Sequence, residues 1–476
     1  RQFPGLFPTE VCSTLSAAEA EGRFHEALQQ IAEAVESGDL SSLPVPDRLD
    51  TLESQSPARR YVNTVILLAA RQGASDIHIE PGSEGQARTR LRIDGVMHPF
   101  EPPRDDETVE GASHTDVVSR VKVMAGMDVA ERRMPQDGRI ELRIAHRDIG
   151  PRIDAIARFL PSERTETSLD LRVNVMPTTD GERVAMRILD PRHVEELELE
   201  NLGMLEDDLE TVRRLARMPH GLIVCAGPAG SGKTTVLYAM LREINHEGLT
   251  ALTIEDPVTY RLGGVTQSEV RPERGLTFAR LTRNAFRQDP DIVLVGEVRN
   301  LETLQLCAQL ALTGHLALTT LHAHSPAQGL RRMLDMGLEP FLINDTVSGL
   351  ISSRLVRRLC TECRQPIEPP LEELPAEAAD YVRALSESDF HRAVGCEECY
   401  GTGYRGRTAL YEVLVPDESV QRAVARSASV EEIEQAAADA RSRTLAQDGL
   451  AKAARGTTTV GEVYRVLGHT EGAPGG

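Results

Sequence analysis

The chain has 476 residues, with 73 acidic against 53 basic, a formal net charge of −20 and no tryptophan, a length that suggests about three domains with ample surface to bury. The acidic balance speaks against the broad basic footprint of a sequence-independent DNA binder, although local basic patches remain open. No apolar run nears the length of a membrane span and no basic-then-apolar leader is seen, so the expected place is the cytoplasm; the sequence opens on Arg1 rather than Met, which leaves its start open.

Residues 1–57 read as a helical segment and linker. Ser16-x-x-Glu19 is a capping-box pattern, and Phe24, Leu28, Ile31 and Val35 follow on one helical face. Such a helix needs a partner surface, as a small cap or as a docking module. From Ala58 a second helix carries Val62, Val65, Ile66, Ala69 and Ala70 and stops at Gly73. In Ser75-Asp-Ile-His-Ile-Glu80, Ile77 and Ile79 alternate with polar residues as in a half-buried strand. The next strand places Arg88, Arg90 and Arg92 on one face, either as solvated surface or as an anion-facing sheet. After an acidic loop at 101–115 come a helix through Val117, Val121 and Met124, strands at 140–144 and 169–175, and Gly181 to Leu189. Strands with helices against them predict a small α+β domain over 58–190, followed by a linker at 191–220.

The apolar run Gly221–Ala226 leads into Gly227-Pro228-Ala229-Gly230-Ser231-Gly232-Lys233-Thr234, and from Thr235 a helical pattern takes over. A strand, a glycine turn and a helix leave several amides converging at the positive end of the helix, which suits a triphosphate. Lys233 would reach the β/γ-phosphates and Thr234 a Mg²⁺ ion. A Gly-rich turn joining an ordinary strand and helix accounts for neither residue.

Two later apolar strands end in acids: Leu252–Asp256, with Glu255 and Asp256, and Ile292–Glu297. In a parallel sheet those ends lie beside the phosphate loop. Glu297 could polarise an attacking water, and either acid of the other strand could hold the Mg²⁺ shell. An isolated acid there would read as a helix cap, but two in one domain with the loop favour chemistry. His315 and His322 flank Leu316–Leu321; structural, phosphate-sensing and subunit-contact roles stay open for both.

Four of the seven cysteines form two C-x-x-C pairs, Cys360/Cys363 and Cys396/Cys399. In a reducing compartment this favours one structural Zn²⁺ held by four thiolates, with no open position for catalysis. Cys12, Cys225 and Cys307 read as small apolar residues. The boundaries that result are a nucleotide core at 221–358, a tetracysteine element at 359–415 and a helical region at 416–476 whose last residues are expected to be disordered.

Together these motifs resemble the type II secretion and type IV pilus assembly ATPase family. The likeness covers most of 58–415 and rests on Ala74-Ser-Asp-Ile-His-Ile-Glu-Pro81, Pro135-Gln-Asp-Gly-Arg139, the phosphate loop, Ile254-Glu-Asp-Pro257, Gly296-Glu-Val-Arg299, Thr313-Gly-His315 with Thr320-Leu-His322, and the Gly395–Arg407 cysteine segment. It implies an α/β fold in which a RecA-like P-loop ATPase domain follows a PAS-like α+β domain, and a homo-hexameric ring closed on ATP. It further implies a catalytic set of Lys233, Thr234, Glu297, Glu255 and His322, with Arg139, Arg172 and Arg187 as charge-stabilising fingers. The implied partner is a polytopic inner-membrane platform protein, which would hold the chain at the membrane periphery, with no nucleic acid. The tetracysteine element resembles one that pilus-retraction relatives lack, which favours extrusion. Three features depart from the pattern: Thr259 and Asn300 stand where acids are usual, and residues 147–168 look inserted. The departures keep a nucleotide-gated scaffold in view, beside a DNA-translocating ring.

Overall fold

Ser56 opens the first helix among the described residues, Pro57–Arg71: its side chain accepts from the Arg59 amide and Pro57 sits at the first turn, where its missing N–H costs nothing. In this computed structural model the described residues are 56–82, 85–100, 112–145, 166–189, 197–385, 388–439 and 443–468. The expected N-terminal helix, Cys12, most of the link before 58, much of the acidic loop at 101–115, most of the 147–168 insertion and the tail lie outside them. The chain divides into two compact units, residues 1–191 and 192–476.

The first unit is a six-stranded antiparallel sheet of β1 (Ala74–Pro81), β2 (Ala87–Ile93), β3 (Val96–Pro99), β4 (Gln136–Ala145), β5 (Glu166–Thr178) and β6 (Gly181–Leu189), in the order β3-β2-β1-β6-β5-β4. Period-two alternation puts Ile77, Ile79, Leu171, Val173 and Val184 on one face, buried with Val62, Val65 and Ile66 of the first helix and Val117 and Val121 of helix His114–Met124. Each such aliphatic side chain contributes roughly 1.5–3 kcal/mol by leaving water. The opposite face of β1 carries the acids that answer the expected arginine row. Glu80 pairs with Arg90 at 2.6 Å and Arg183 at 3.3 Å, and Asp76 with Arg187 at 3.0 Å and Arg92 at 3.7 Å. The row on β2 is thus matched across the sheet at Arg90 and Arg92 rather than turned toward an external anion.

The second unit is built on a seven-stranded sheet of β7 (Gly221–Ala226), β8 (Ala251–Glu255), β9 (Val265–Glu269), β10 (Ile292–Val295), β11 (Leu316–Leu321), β12 (Val347–Leu359) and, after the two-residue strands β13 (Gln365–Pro366) and β14 (His391–Arg392), β15 (Tyr404–Leu414). Its order is β15-β12-β7-β11-β10-β8-β9, parallel throughout except that β15 runs against β12. Every residue of β7, β8, β10 and β11 is buried, the signature of parallel strands covered on both faces. Leu222 and Val224 point into one core and Ile223 and Cys225 into the other.

Within the span expected to be a linker, helix Glu206–Ala216 packs Leu209, Val212 and Leu215 into this second core. Helices Glu418–Ala425 and Val430–Asp439 likewise place Val420, Val424 and Ile433 in the first. The last helix, Val460–Leu467, is tied to β12 by Glu462, which accepts from the Arg357 side chain and from Arg465 at 2.7 Å each. Burial alone would raise the Glu462 carboxyl, but these hydrogen bonds hold it at about 2 against an ordinary 4.5. A carboxyl depressed in the folded chain adds stability above its unfolded value, and loses that contribution as pH falls from 4.5 towards 2. Glu462→Gln should therefore lower the melting temperature at neutral pH and much less near the acid end of that window.

Candidate functional site

Because β7, β8, β10 and β11 are parallel, their C-terminal ends share one edge, with Ala226 beside Leu321 and Val295 beside Ile254. Whatever follows each strand meets there. After β7 comes the phosphate loop, Gly227 to Thr235. Gly230 and Gly232 take φ of +73° and +93°, values that only glycine adopts readily, and the loop opens directly into helix Lys233–Ile244. At Gly227 a Cβ would lie 2.3 Å from Ser231 Oγ, so the turn closes only without one. Gly232 caps the helix without a side-chain bond, leaving first-turn amides available to an anion. Pro228, Ala229 and Gly230 are exposed, as is Thr234, while Thr235 is half-buried. Lys233 Nζ donates to the carbonyls of Gly227 at 2.9 Å and Pro228 at 2.8 Å. Burial pushes its ammonium below the usual lysine range, and the Glu297 carboxylate opposes that fall. The loop therefore suits a polyphosphate, and the exposed Thr234 hydroxyl beside it suits a Mg²⁺ ion.

Beyond β10 the chain turns at Gly296 into Glu297. Glu297 Oε1 lies 2.9 Å from Nε2 of His322, just past β11, and Oε2 accepts from Arg299 Nε at 2.8 Å. Arg299 also reaches Asp256 at 3.2 Å, so Asp256, Arg299, Glu297 and His322 form one chain of charged and polar groups. Arg299 did not stand among the expected site residues, and Asp256 stood there only as a candidate for the Mg²⁺ shell. The signal available was the short spacing from Glu297 to Arg299 across a bend, which lets the guanidinium fold back on the carboxylate.

His315 is placed apart from this group. It sits before β11, at the opposite end of that strand from His322, and its Nδ1 lies 3.0 Å from both Leu310 O and Thr313 Oγ1. Asn300, at the position of an expected acid, caps helix Leu301–Leu312 by accepting from the Thr303 amide at 3.0 Å. Glu255 ends β8 but is buried, bonded to Thr253, Gln267 and Tyr238. Behind the loop, buried Arg354 of β12 donates to Ser353 O at 2.8 Å and His324 O at 2.9 Å.

Arg139, Arg172 and Arg187 belong to the first unit. They are direct cross-strand neighbours on β4, β5 and β6, one stripe on the sheet face away from its core. Like charges so placed repel. Asp170, at 2.7 Å from Arg139, and Asp76, at 3.0 Å from Arg187, offset part of that repulsion.

The four cysteines converge as their spacing predicts. Their sulfurs all lie within 4.8 Å of one another, with Cys360 to Cys396 and Cys363 to Cys399 at 3.8 Å and Cys396 to Cys399 at 3.7 Å. A tetrahedral zinc with thiolates at about 2.3 Å requires sulfur separations of about 3.8 Å, so the donor set fits that ion. Amides of Gly395, Cys396 and Gly403 donate to the sulfurs of Cys363, Cys399 and Cys399, at 3.3, 3.1 and 3.2 Å, bonds that orient thiolates and favour their charged form. The Cys396/Cys399 pair sits on a tightly closed turn: a Cβ on Gly395, at φ +115°, would lie 2.5 Å from Gly401 O.

The sequence model of the type II/IV secretion system protein family matches residues 51–165 and 159–465. Type II secretion system protein HxcR of Pseudomonas aeruginosa is 41% identical over 424 residues, 89% of this chain and 80% of that one. Type II secretion system ATPase E of Vibrio cholerae is 39% identical over 472 residues, 95% of this chain and 86% of that one. Among solved structures, the Legionella pneumophila ATPase DotB superposes with a TM-score of 0.58 at 19% identity, covering 89% of this chain and all 100% of its own. The pilus retraction motor PilT with bound ADP gives 0.50 at 22% identity, covering 84% and 95%. These two structures share the α/β fold of the RecA-like kind. With a family match across nearly its whole length and a phosphate loop, acid and tetracysteine cluster arranged as the motifs require, this chain belongs to the type II/IV secretion system protein family.

Proposed function

We propose that the chain is an ATP hydrolase that powers type II protein secretion or type IV pilus assembly. The observation that carries this reading is the meeting of the phosphate loop with Glu297 and His322 at one edge of the parallel sheet. Lys233 and the first-turn amides would bind the phosphates, exchanging the loop carbonyls for the ligand. Glu297 would orient a water toward the terminal phosphate, with His322 and Arg299 holding its carboxylate in place. Mg²⁺, held through Thr234, would neutralise charge on the phosphate oxygens. In this reading 58–190 is the arginine-bearing domain, and Arg139, Arg172 and Arg187 reach the nucleotide as charge-stabilising fingers within a homo-hexamer. The zinc element at 359–415 is structural, and a polytopic platform protein anchors the ring at the inner membrane from the cytoplasmic side. Among the described residues no helix is long and apolar enough to cross a membrane.

Thr259 supports a second reading, a nucleotide-gated scaffold with little turnover, since it supplies no carboxylate where the pattern has one. Purified chain should hydrolyse ATP only with Mg²⁺ and without stimulation by DNA. Tight ATP binding with negligible turnover would favour the scaffold, and strong DNA stimulation a translocating ring.

A further inference from the structure

The phosphate-loop helix and the Glu297 turn are joined by a buried carboxylate. Glu255 is 3% exposed and accepts from Thr253 Oγ1 at 2.5 Å, from Gln267 Nε2 at 3.1 Å and from the Tyr238 hydroxyl. Tyr238 lies wholly inside the fold, on the helix that begins at Lys233. Burial and the adjoining Glu255 charge push its phenol above the usual range, so it remains a donor, while the amides of Thr259 and Tyr260 reach the same oxygen. On its other side Glu255 backs onto Gly296: a Cβ there would sit 3.4 Å from Glu255 Cα and 3.7 Å from its Cγ. The Gly296 amide also donates to Ile254 O at 2.8 Å. One residue beyond Gly296 is Glu297, and one beyond Glu255 is Asp256, which holds Arg299 against Glu297.

We propose that Glu255 and Tyr238 are a positioning pair that fixes the phosphate-loop helix against the Glu297 turn, and that Glu255 neither activates water nor binds Mg²⁺. An ionised carboxylate offers about four acceptor directions, and protein donors take three of those on Glu255. Its burial leaves no face toward the exposed loop where a nucleotide would lie. What the pair controls is the spacing between Lys233 and Glu297, and misplacing a reacting group by about 1 Å costs rate more than affinity. The proposal rests on the hydrolysis reading above.

The test uses the full chain with Tyr238→Phe, Glu255→Gln and the double variant, measuring ATP turnover, KM, the Mg²⁺ dependence and thermal stability. Each single change should lower kcat about tenfold, the worth of a hydrogen bond to a charged group. The KM for ATP and the Mg²⁺ concentration for half activity should stay within about twofold, because ligand-binding groups are untouched. The double variant should be no slower than the worse single, since each change weakens the one Tyr238–Glu255 bond, Phe by removing its donor and Gln by removing the charge of its acceptor. Should Glu255→Gln not fold, Thr253→Val, which removes another donor to the same carboxylate, serves as the second single variant, with kcat lowered and KM and Mg²⁺ dependence unchanged. Three results would overturn the pair: full kcat in Tyr238→Phe beside a Glu255→Gln as inactive as Glu297→Gln, a raised Mg²⁺ requirement in Glu255→Gln, or a lowered melting temperature with kcat intact. A native chain that binds ATP without turning it over would instead overturn the hydrolysis reading itself.

Discussion

Glu297→Gln should reduce ATP turnover on the order of 10²–10⁴-fold, the usual worth of a positioned general base, while leaving ATP binding nearly unchanged. The carboxylate stands at the end of the strand pair β10 and β11, and its oxygens are oriented by His322 at 2.9 Å and Arg299 at 2.8 Å. Gln keeps the size and one acceptor but loses the charge that draws a proton from water, so the defect should fall on kcat. Lys233→Ala should fail differently, because its ammonium is the cation at the mouth of the loop and its loss should weaken nucleotide binding first. Measuring turnover beside the affinity for a non-hydrolysable analogue separates the two. Near-normal turnover in Glu297→Gln would remove that residue from the chemistry.

Removing the metal should have the largest structural effect. Purified chain is expected to carry about one Zn²⁺, and Cys396→Ser to lose it. The element between β12 and β15 has little else to fold around: a two-stranded ladder, and helix Ala376–Ala384, whose Ala379 and Val382 join Leu374 and Phe390 against Leu450, Ala453 and Ala454. Bound structural zinc is worth on the order of 10 kcal/mol in isolated fingers, far more than so few aliphatic contacts contribute. Elemental analysis should show the loss of metal, and limited proteolysis should cut the variant between Cys360 and Gly403. The parallel strands should keep their protection, since their core lies elsewhere. Metal-free native protein, or Cys396→Ser resistant to protease in this segment, would refute the assignment.

Sequence alone determined the features whose physics is local. The glycine loop, the strand before it and the helix after it announce a phosphate site because close backbone approach and converging amides are properties of one short stretch. Two C-x-x-C pairs announce a tetrahedral donor set because thiolate spacing within each pair is set by a single turn. The alternation of Ile77 with Ile79 marked the buried face of the first sheet. What the chain could not disclose alone were relations between residues far apart along it. Arg139, Arg172 and Arg187 become one stripe only through the register of β4, β5 and β6. His322 parts from His315 only because the direction of β11 sends one toward Glu297 and the other away. Asn300 is seen to cap helix Leu301–Leu312 only once the start of that helix is placed. Glu255 looks like Glu297 in sequence, an acid ending an apolar strand, yet Tyr238, Thr253 and Gln267 enclose one carboxylate while the other meets His322 and Arg299. Strand order and side-chain burial make that distinction, because whether an acid faces water or its neighbours depends on what the rest of the fold packs against it.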